Sequence, residues 1–168
     1  HMDATIAEIA KYGGSDLICY RAGEPEALAR AQAQSWDRVL DFAREKLGVR
    51  LICAQGVNFV EQPEPARRAL LEAVRKIAEE QGGAFALAAL HVMTTLTGSA
   101  LLALAVAHQV LTPEEAWAAA HVDEDFQIKI WGADEEALAR RARRWAEMEA
   151  AARLMRALSS SDAGCEGP

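Results

Sequence analysis

Phe85-Ala86-Leu87-Ala88-Ala89-Leu90-His91-Val92-Met93-Thr94-Thr95-Leu96-Thr97-Gly98-Ser99-Ala100-Leu101-Leu102-Ala103-Leu104-Ala105-Val106-Ala107 is the longest apolar run of the chain, and its reading decides the fold. It is long enough to cross a bilayer, since roughly 20 residues suffice. Its centre, however, holds His91, Thr94, Thr95, Thr97, Gly98 and Ser99, and much of the rest is alanine. No Lys or Arg occurs from Ile77 to Ile128, so neither end carries the basic anchor that orients a span. The run therefore reads as a helix buried on most sides in a bundle, without membrane insertion. Gly98-Ser99-Ala100 would let a second helix approach closely.

Helical signals continue on either side. Thr5 to Tyr12 reads as a short helix ended by Gly13-Gly14. Pro25 stands at a helix start and Gly48 after a helix end. Between them Leu28, Gln32, Trp36, Val39, Leu40, Ala43 and Leu47 recur at three- and four-residue steps, which gives one mainly apolar face. Val49 to Ala54, then Gln55-Gly56 and Val57, Phe59 and Val60, change period and predict a small β-hairpin laid on the helices. Pro65 to Gln81 is a further helix. Thr112-Pro113-Glu114-Glu115 has the form of a capping box. Asp134 is placed to cap a last long helix striped by Leu138, Ala142, Trp145, Met148, Ala152 and Met155. The expected fold is mostly α, a multihelical bundle with a small β-hairpin, formed by residues 3–158. Residues 159–168 read as a disordered tail, and His1-Met2 as a cloning remnant.

Composition narrows the function. The 168 residues suffice for one domain with a proper core. A net charge of -7 argues against nucleic acid, which needs a basic surface to displace counterions. Arg140, Arg141, Arg143 and Arg144 form one basic cluster, read as a solvated helix face with intrahelical Glu partners. Cys19, Cys53 and Cys165 are odd in number and share no metal-like spacing, which points to a reducing compartment.

Asp123-Glu124-Asp125-Phe126-Gln127, followed by Trp131-Gly132 and Asp134-Glu135-Glu136, sets several carboxylates beside large aromatics. Calcium does not fit, because the sixth position of such a loop, where a sharp turn needs glycine, is Ile128. His91, His108 and His121 are too far apart for a helical metal pair, and His91 reads as a core histidine paired with a threonine or a carbonyl. Ser99 lies outside any Gly-x-Ser-x-Gly turn, and no glycine-rich loop opens a helix. No metal or cofactor is expected. Phe126 and Trp131 read first as core residues. Glu124, Asp125 and Gln127 read as surface, because charge concentrated beside aromatics brings self-repulsion with no internal return. A bare acidic patch of this kind suits docking to a macromolecule, and internal arginines tying it up would remove that reading.

Ser15-Asp16-Leu17 leading into Cys19-Tyr20-Arg21, Gln32 with Trp36-Asp37 and Leu40, Gly56-Val57 with Gln62-Pro63, Gly98-Ser99, Ala116-Trp117, Asp123-Glu124 with Gln127, Trp131-Gly132 and Asp134-Glu135-Glu136 together resemble the Atp12 family. The resemblance covers nearly the whole chain and rests on order and spacing. It implies a non-enzymatic chaperone that assembles the F1 sector of ATP synthase by holding the unassembled alpha subunit. Within the family, the Ala-rich, Arg-over-Lys composition resembles an alphaproteobacterial member of the cytoplasm, with the matrix as the place of a eukaryotic one. A monomer is expected, although the sequence leaves the oligomeric state open. The family's β-rich N-terminal part is missing, so the sequence reads as the helical C-terminal domain. The family's acidic patch falls on Glu124 with Asp123 and Asp125. Rim contacts are then expected at Glu124, Asp125 and Gln127, with Trp131 or Trp36 as an anchor if exposed. Arg38 departs from the family, which usually has proline there. Two rivals are a generic helical adaptor with an open apolar groove for a partner helix, and an enzyme pairing His121 with the acidic cluster in a deep pocket.

Overall fold

The computed structural model describes residues 1–56 and 58–162. Its helices are α1 (Met2–Lys11), α2 (Glu26–Lys46), α3 (Glu64–Glu80), α4 (Gly83–Thr97), α5 (Ala100–Ala107), α6 (Pro113–Ala120), α7 (Val122–Trp131) and α8 (Glu135–Asp162). The fold is mostly α, as expected.

The apolar run is two helices, not one. Gly98 sits at φ 69°, a left-handed conformation that suits glycine, and its N–H donates to the Thr94 carbonyl to close α4. Ser99 then caps α5, its Oγ accepting from the Leu102 N–H at 3.0 Å. The second helix is α5 itself, folded back on α4. Every residue of α5 is buried, which fits a helix apolar on all sides. No described helix is long and apolar enough to cross a membrane.

Around α5 lie α2, α4, α6 and α8, while α1 and α3 flank α4. Trp36, Leu70, Ile77, Leu90, Met93, Leu101, Leu102, Leu104 and Met148 are fully buried in the shared core. Each such side chain contributes roughly 1.5–3 kcal/mol relative to exposure. The junction between α4 and α5 is polar and buried, so it needs partners. Asp16 supplies them, its two carboxylate oxygens accepting from Ile18 N–H at 3.3 Å and Leu101 N–H at 3.2 Å. At the end of α4, Arg144 of α8 donates to the Leu96 carbonyl at 3.0 Å.

Among the described residues the predicted hairpin does not form. The two short strands, β1 (Tyr20–Arg21) and β2 (Ala54–Gln55), pair in parallel. Phe59 is 70% exposed, and Val57 lies outside the described residues. The Gln62 side-chain amide stands in for a second strand: it donates to the Ile52 carbonyl at 2.8 Å and accepts from the Ile52 N–H at 2.7 Å. Alternating apolar letters could not reveal that a side chain would take the ladder's place.

Two further corrections concern the ends and His91. Ser159 to Asp162 continue α8, so the helix outruns the expected tail, whose remaining residues 163–168 lie outside the described residues. His91 is only half-buried and faces Glu8 of α1, Nε2 to Oε1 3.3 Å. It borders the core and is not a core histidine bonded to threonine.

Candidate functional site

The acidic helix α7 is positioned from both ends. Upstream, the Thr112 Oγ1 accepts from the Glu115 N–H at 3.1 Å while Glu115 accepts from the Thr112 N–H at 2.8 Å. This completes the capping box that starts α6. α6 stops at His121, whose carbonyl accepts from the Asp125 N–H at 2.8 Å and so begins α7. Downstream, Gly132 at φ 86° ends α7, and Asp134 caps α8 by accepting from the Glu136 N–H at 2.9 Å.

α7 has no buried residue. Asp123, Glu124 and Asp125 occupy its first turn, where the helix dipole favours negative charge. They are not bare. The Gln32 Nε2 donates to Asp123 Oδ1 at 2.7 Å, and the Gln32 Oε1 accepts from the Ala22 N–H at 2.8 Å. Gln32 is itself buried, so it ties β1's exit to α7 through α2. Arg141 of α8 donates to both carboxylate oxygens of Asp125. Glu124 Oε2 lies 3.8 Å from His121 Nε2 and 4.0 Å from Arg141. The expectation of an unpartnered acidic face is therefore corrected, and at Asp125 the internal arginine removes the docking reading that a bare carboxylate supported.

The arginine cluster is corrected with it. Only Arg140 clearly keeps the expected pattern, bound to Glu136 at 3.0 Å. Arg141 is 19% exposed and points into α7, and Arg144 reaches α4. Helical spacing on α8 could not show that α7 would fold across this face.

The tryptophans divide. Trp36 is wholly buried, its indole N–H donating to the Ala119 carbonyl at 2.8 Å, with the Arg21 guanidinium 5.3 Å from its ring centre. It holds α2 against α6 and cannot meet a partner. Trp131 is 81% exposed and its neighbour Ile130 53%. The core reading of Trp131 is thus corrected, while Phe126 is half-buried beside α2. Glu124, Gln127 and Trp131 follow at three- and four-residue steps, so they share one stripe of α7. Trp131 stands roughly 10 Å along the axis from Glu124.

His121 is buried against Trp117, with ring centres 4.3 Å apart and Nδ1 2.7 Å from the Trp117 carbonyl. Burial holds its imidazole below the ordinary histidine value, although that carbonyl pulls the other way. Its ring stiffens the joint between α6 and α7. Among the described residues, no group of three or more His, Cys, Asp or Glu is arranged to hold a metal ion.

Two features of this region escaped the sequence reading. Gln32 was visible as a polar letter in an apolar stripe, yet its partners were not. Cys19 and Cys53 carry no local signal of their proximity.

The class defined by fold and site is a helical domain with one surface-laid acidic helix, ended by a bare tryptophan. The chain belongs to the Atp12 family, as three solved relatives at 39–48% identity over more than nine-tenths of it show, and the model of the ATP12 chaperone protein matches residues 1–44. A candidate chaperone from Agrobacterium tumefaciens, the Atu1473 protein, is 48% identical over 93% of this chain, with a TM-score of 0.84. Atp12 from Paracoccus denitrificans is 39% identical over 94%, with a TM-score of 0.85. An aspartate-to-lysine mutant of Atp12p from the same organism is 40% identical over 92%, with a TM-score of 0.86. This chain spans 57%, 65% and 64% of those three chains respectively.

Proposed function

We propose that this domain is a non-enzymatic chaperone for assembly of the F1 sector of ATP synthase, and that it binds the unassembled alpha subunit. Family membership and similarity to Atp12 of Paracoccus denitrificans support the assembly role. The observation that carries the surface is Trp131, 81% exposed at the end of α7. A lone alpha subunit exposes apolar surface that its neighbours would cover, and such patches aggregate. Trp131 with Ile130 gives an aromatic and aliphatic anchor for that surface, and tryptophan is among the residues that dominate interface energy. Asp123, Glu124 and Gln127 form the rim, where charge sets orientation and on-rate more than affinity. Asp125 and Trp36 leave the contact set, since Arg141 holds the first and the core holds the second. A monomer working in the bacterial cytoplasm accords with this reading.

Binding of purified alpha subunit tests it. Trp131→Ala should weaken capture by about tenfold or more with the melting temperature nearly unchanged. Glu124→Lys should weaken it less and make it more salt-sensitive. Unchanged capture by both variants would remove α7 as the docking helix. Early melting of Glu124→Lys would make that residue a structural partner of His121 and Arg141.

A further inference from the structure

Cys19 and Cys53 are 34 positions apart in sequence and adjacent in space. The parallel register pairs Tyr20 with Ala54 and Arg21 with Gln55, and each cysteine directly precedes its strand's first paired residue. Paired strands lie about 4.7–4.9 Å apart, within the roughly 4.4–6.8 Å between Cα atoms that a disulfide spans. The two thiols are near enough for each to perturb the other's titration. They are unlike in access: Cys19 is buried and Cys53 exposed. The Arg21 guanidinium, held by the Ile18 carbonyl at 2.8 Å and by Asp37 at 2.8 Å, puts a positive charge near Cys53.

We propose that Cys19 and Cys53 are a peroxide-oxidisable dithiol, with Cys53 the attacking thiol, Cys19 the resolving thiol and Arg21 the cation that supports the thiolate. The hydrogen bond from Cys19, and then Arg21, bring the Cys53 thiol down to about 6 against the pull of burial and of Asp37. The same hydrogen bond, burial and the nearby Asp16 push Cys19 up. The accessible sulfur is thus the one drawn toward the thiolate, which is what reaction with peroxide needs.

The Cys53 thiolate attacks one oxygen of hydrogen peroxide. An S–O bond forms, the O–O bond breaks, and hydroxide leaves to take up the proton that Cys53 had released. The Cys19 sulfur then attacks the Cys53 sulfur of the sulfenic acid. An S–S bond forms, the S–O bond breaks, and the departing oxygen leaves as water with the Cys19 proton. Two thiols are oxidised to one disulfide, and peroxide is reduced to two waters. The product clips β1 to β2 beside the Arg21–Trp36 contact.

The test uses the full chain with Cys165→Ser, so that only this pair reports. After treatment with one equivalent of hydrogen peroxide, intact mass should fall by two hydrogens, and a peptide map should show Cys19 joined to Cys53. Cys53→Ser should abolish the reaction. Cys19→Ala should stop at a Cys53 sulfenic acid that dimedone traps. Iodoacetamide should alkylate Cys53 with a midpoint near pH 6, against about 8.5 for a free thiol. Retention of both thiols after peroxide, or oxidation of Cys53 to sulfinic acid while Cys19 stays reduced, overturns the proposal. The map of the Cys165→Ser chain decides this even if a Cys19 variant fails to fold.

Discussion

The junction between α4 and α5 and the first turn of α7 both depend on aspartates, to opposite ends. At the junction Asp16 is fully buried and answers two backbone amides, with no cation bonded to it among the described residues. Burial pushes its carboxyl up to about 6 even though the Ser99 hydroxyl and the nearby backbone amides pull it down. On α7, Asp125 is roughly two-fifths exposed and answers Arg141. The first carboxylate is held because a buried break in an apolar helix pair leaves amides that nothing else reaches. The second adjusts how a surface helix lies on its neighbour. Equal charge therefore carries unequal structural weight, and solvent access decides which.

Breaking the interior side should cost most. Asp16→Ala strands the Ile18 and Leu101 amides and should lower unfolding free energy by about 2–4 kcal/mol, read by urea denaturation. The same carboxyl sharpens the contrast through pH. Its folded value, about 6, exceeds the unfolded 3.8, so the folded chain holds the proton more tightly between the two. Its contribution is full below pH 3.8 and is lost as pH rises through about 6, a span of roughly 3 kcal/mol. Asp16→Asn should remove that slope. His108 and His121, held low chiefly by burial, slope the other way, so the readout is the difference between wild-type and variant curves.

Gly98→Ala should cost less, about 1–2 kcal/mol. An added Cβ would meet only the Leu17 Cβ at 3.9 Å, so the left-handed backbone, not crowding, sets the penalty. A thermal melt measures it. The exterior side should respond least. A double-mutant cycle of Arg141→Ala with Asp125→Ala should give a coupling of about 1 kcal/mol, reduced by salt. A coupling as large as the Asp16 effect would erase the distinction between the two regions.

Much of the fold was legible. Thr112-Pro113-Glu114-Glu115 and Asp134 acted as caps because a cap needs only a side chain within three residues of the amide it satisfies. The stripe Leu28 to Leu47 buried Trp36, Val39 and Ala43, since a helix displays its period regardless of partner. What failed was non-local. On α8, Leu138 and Ala142 fit the predicted stripe yet are exposed, whereas Met148, Ala152 and Met155 of the same stripe are buried. The site followed the same division. Its helix and acids were readable, but the Arg141 and Gln32 partners come from elements distant in sequence.

The sequence by itself determined that the chain would be helical, where helices begin, and that an acidic segment would sit near the surface. Periodicity, capping and charge act over one or two turns, and letters record them directly. Only the tertiary structure decided that Gly98 divides the apolar run, that Arg141 disarms Asp125, that Trp131 stays bare and that Cys19 meets Cys53. Each depends on which distant elements lie together, a choice made by burying the whole core at once.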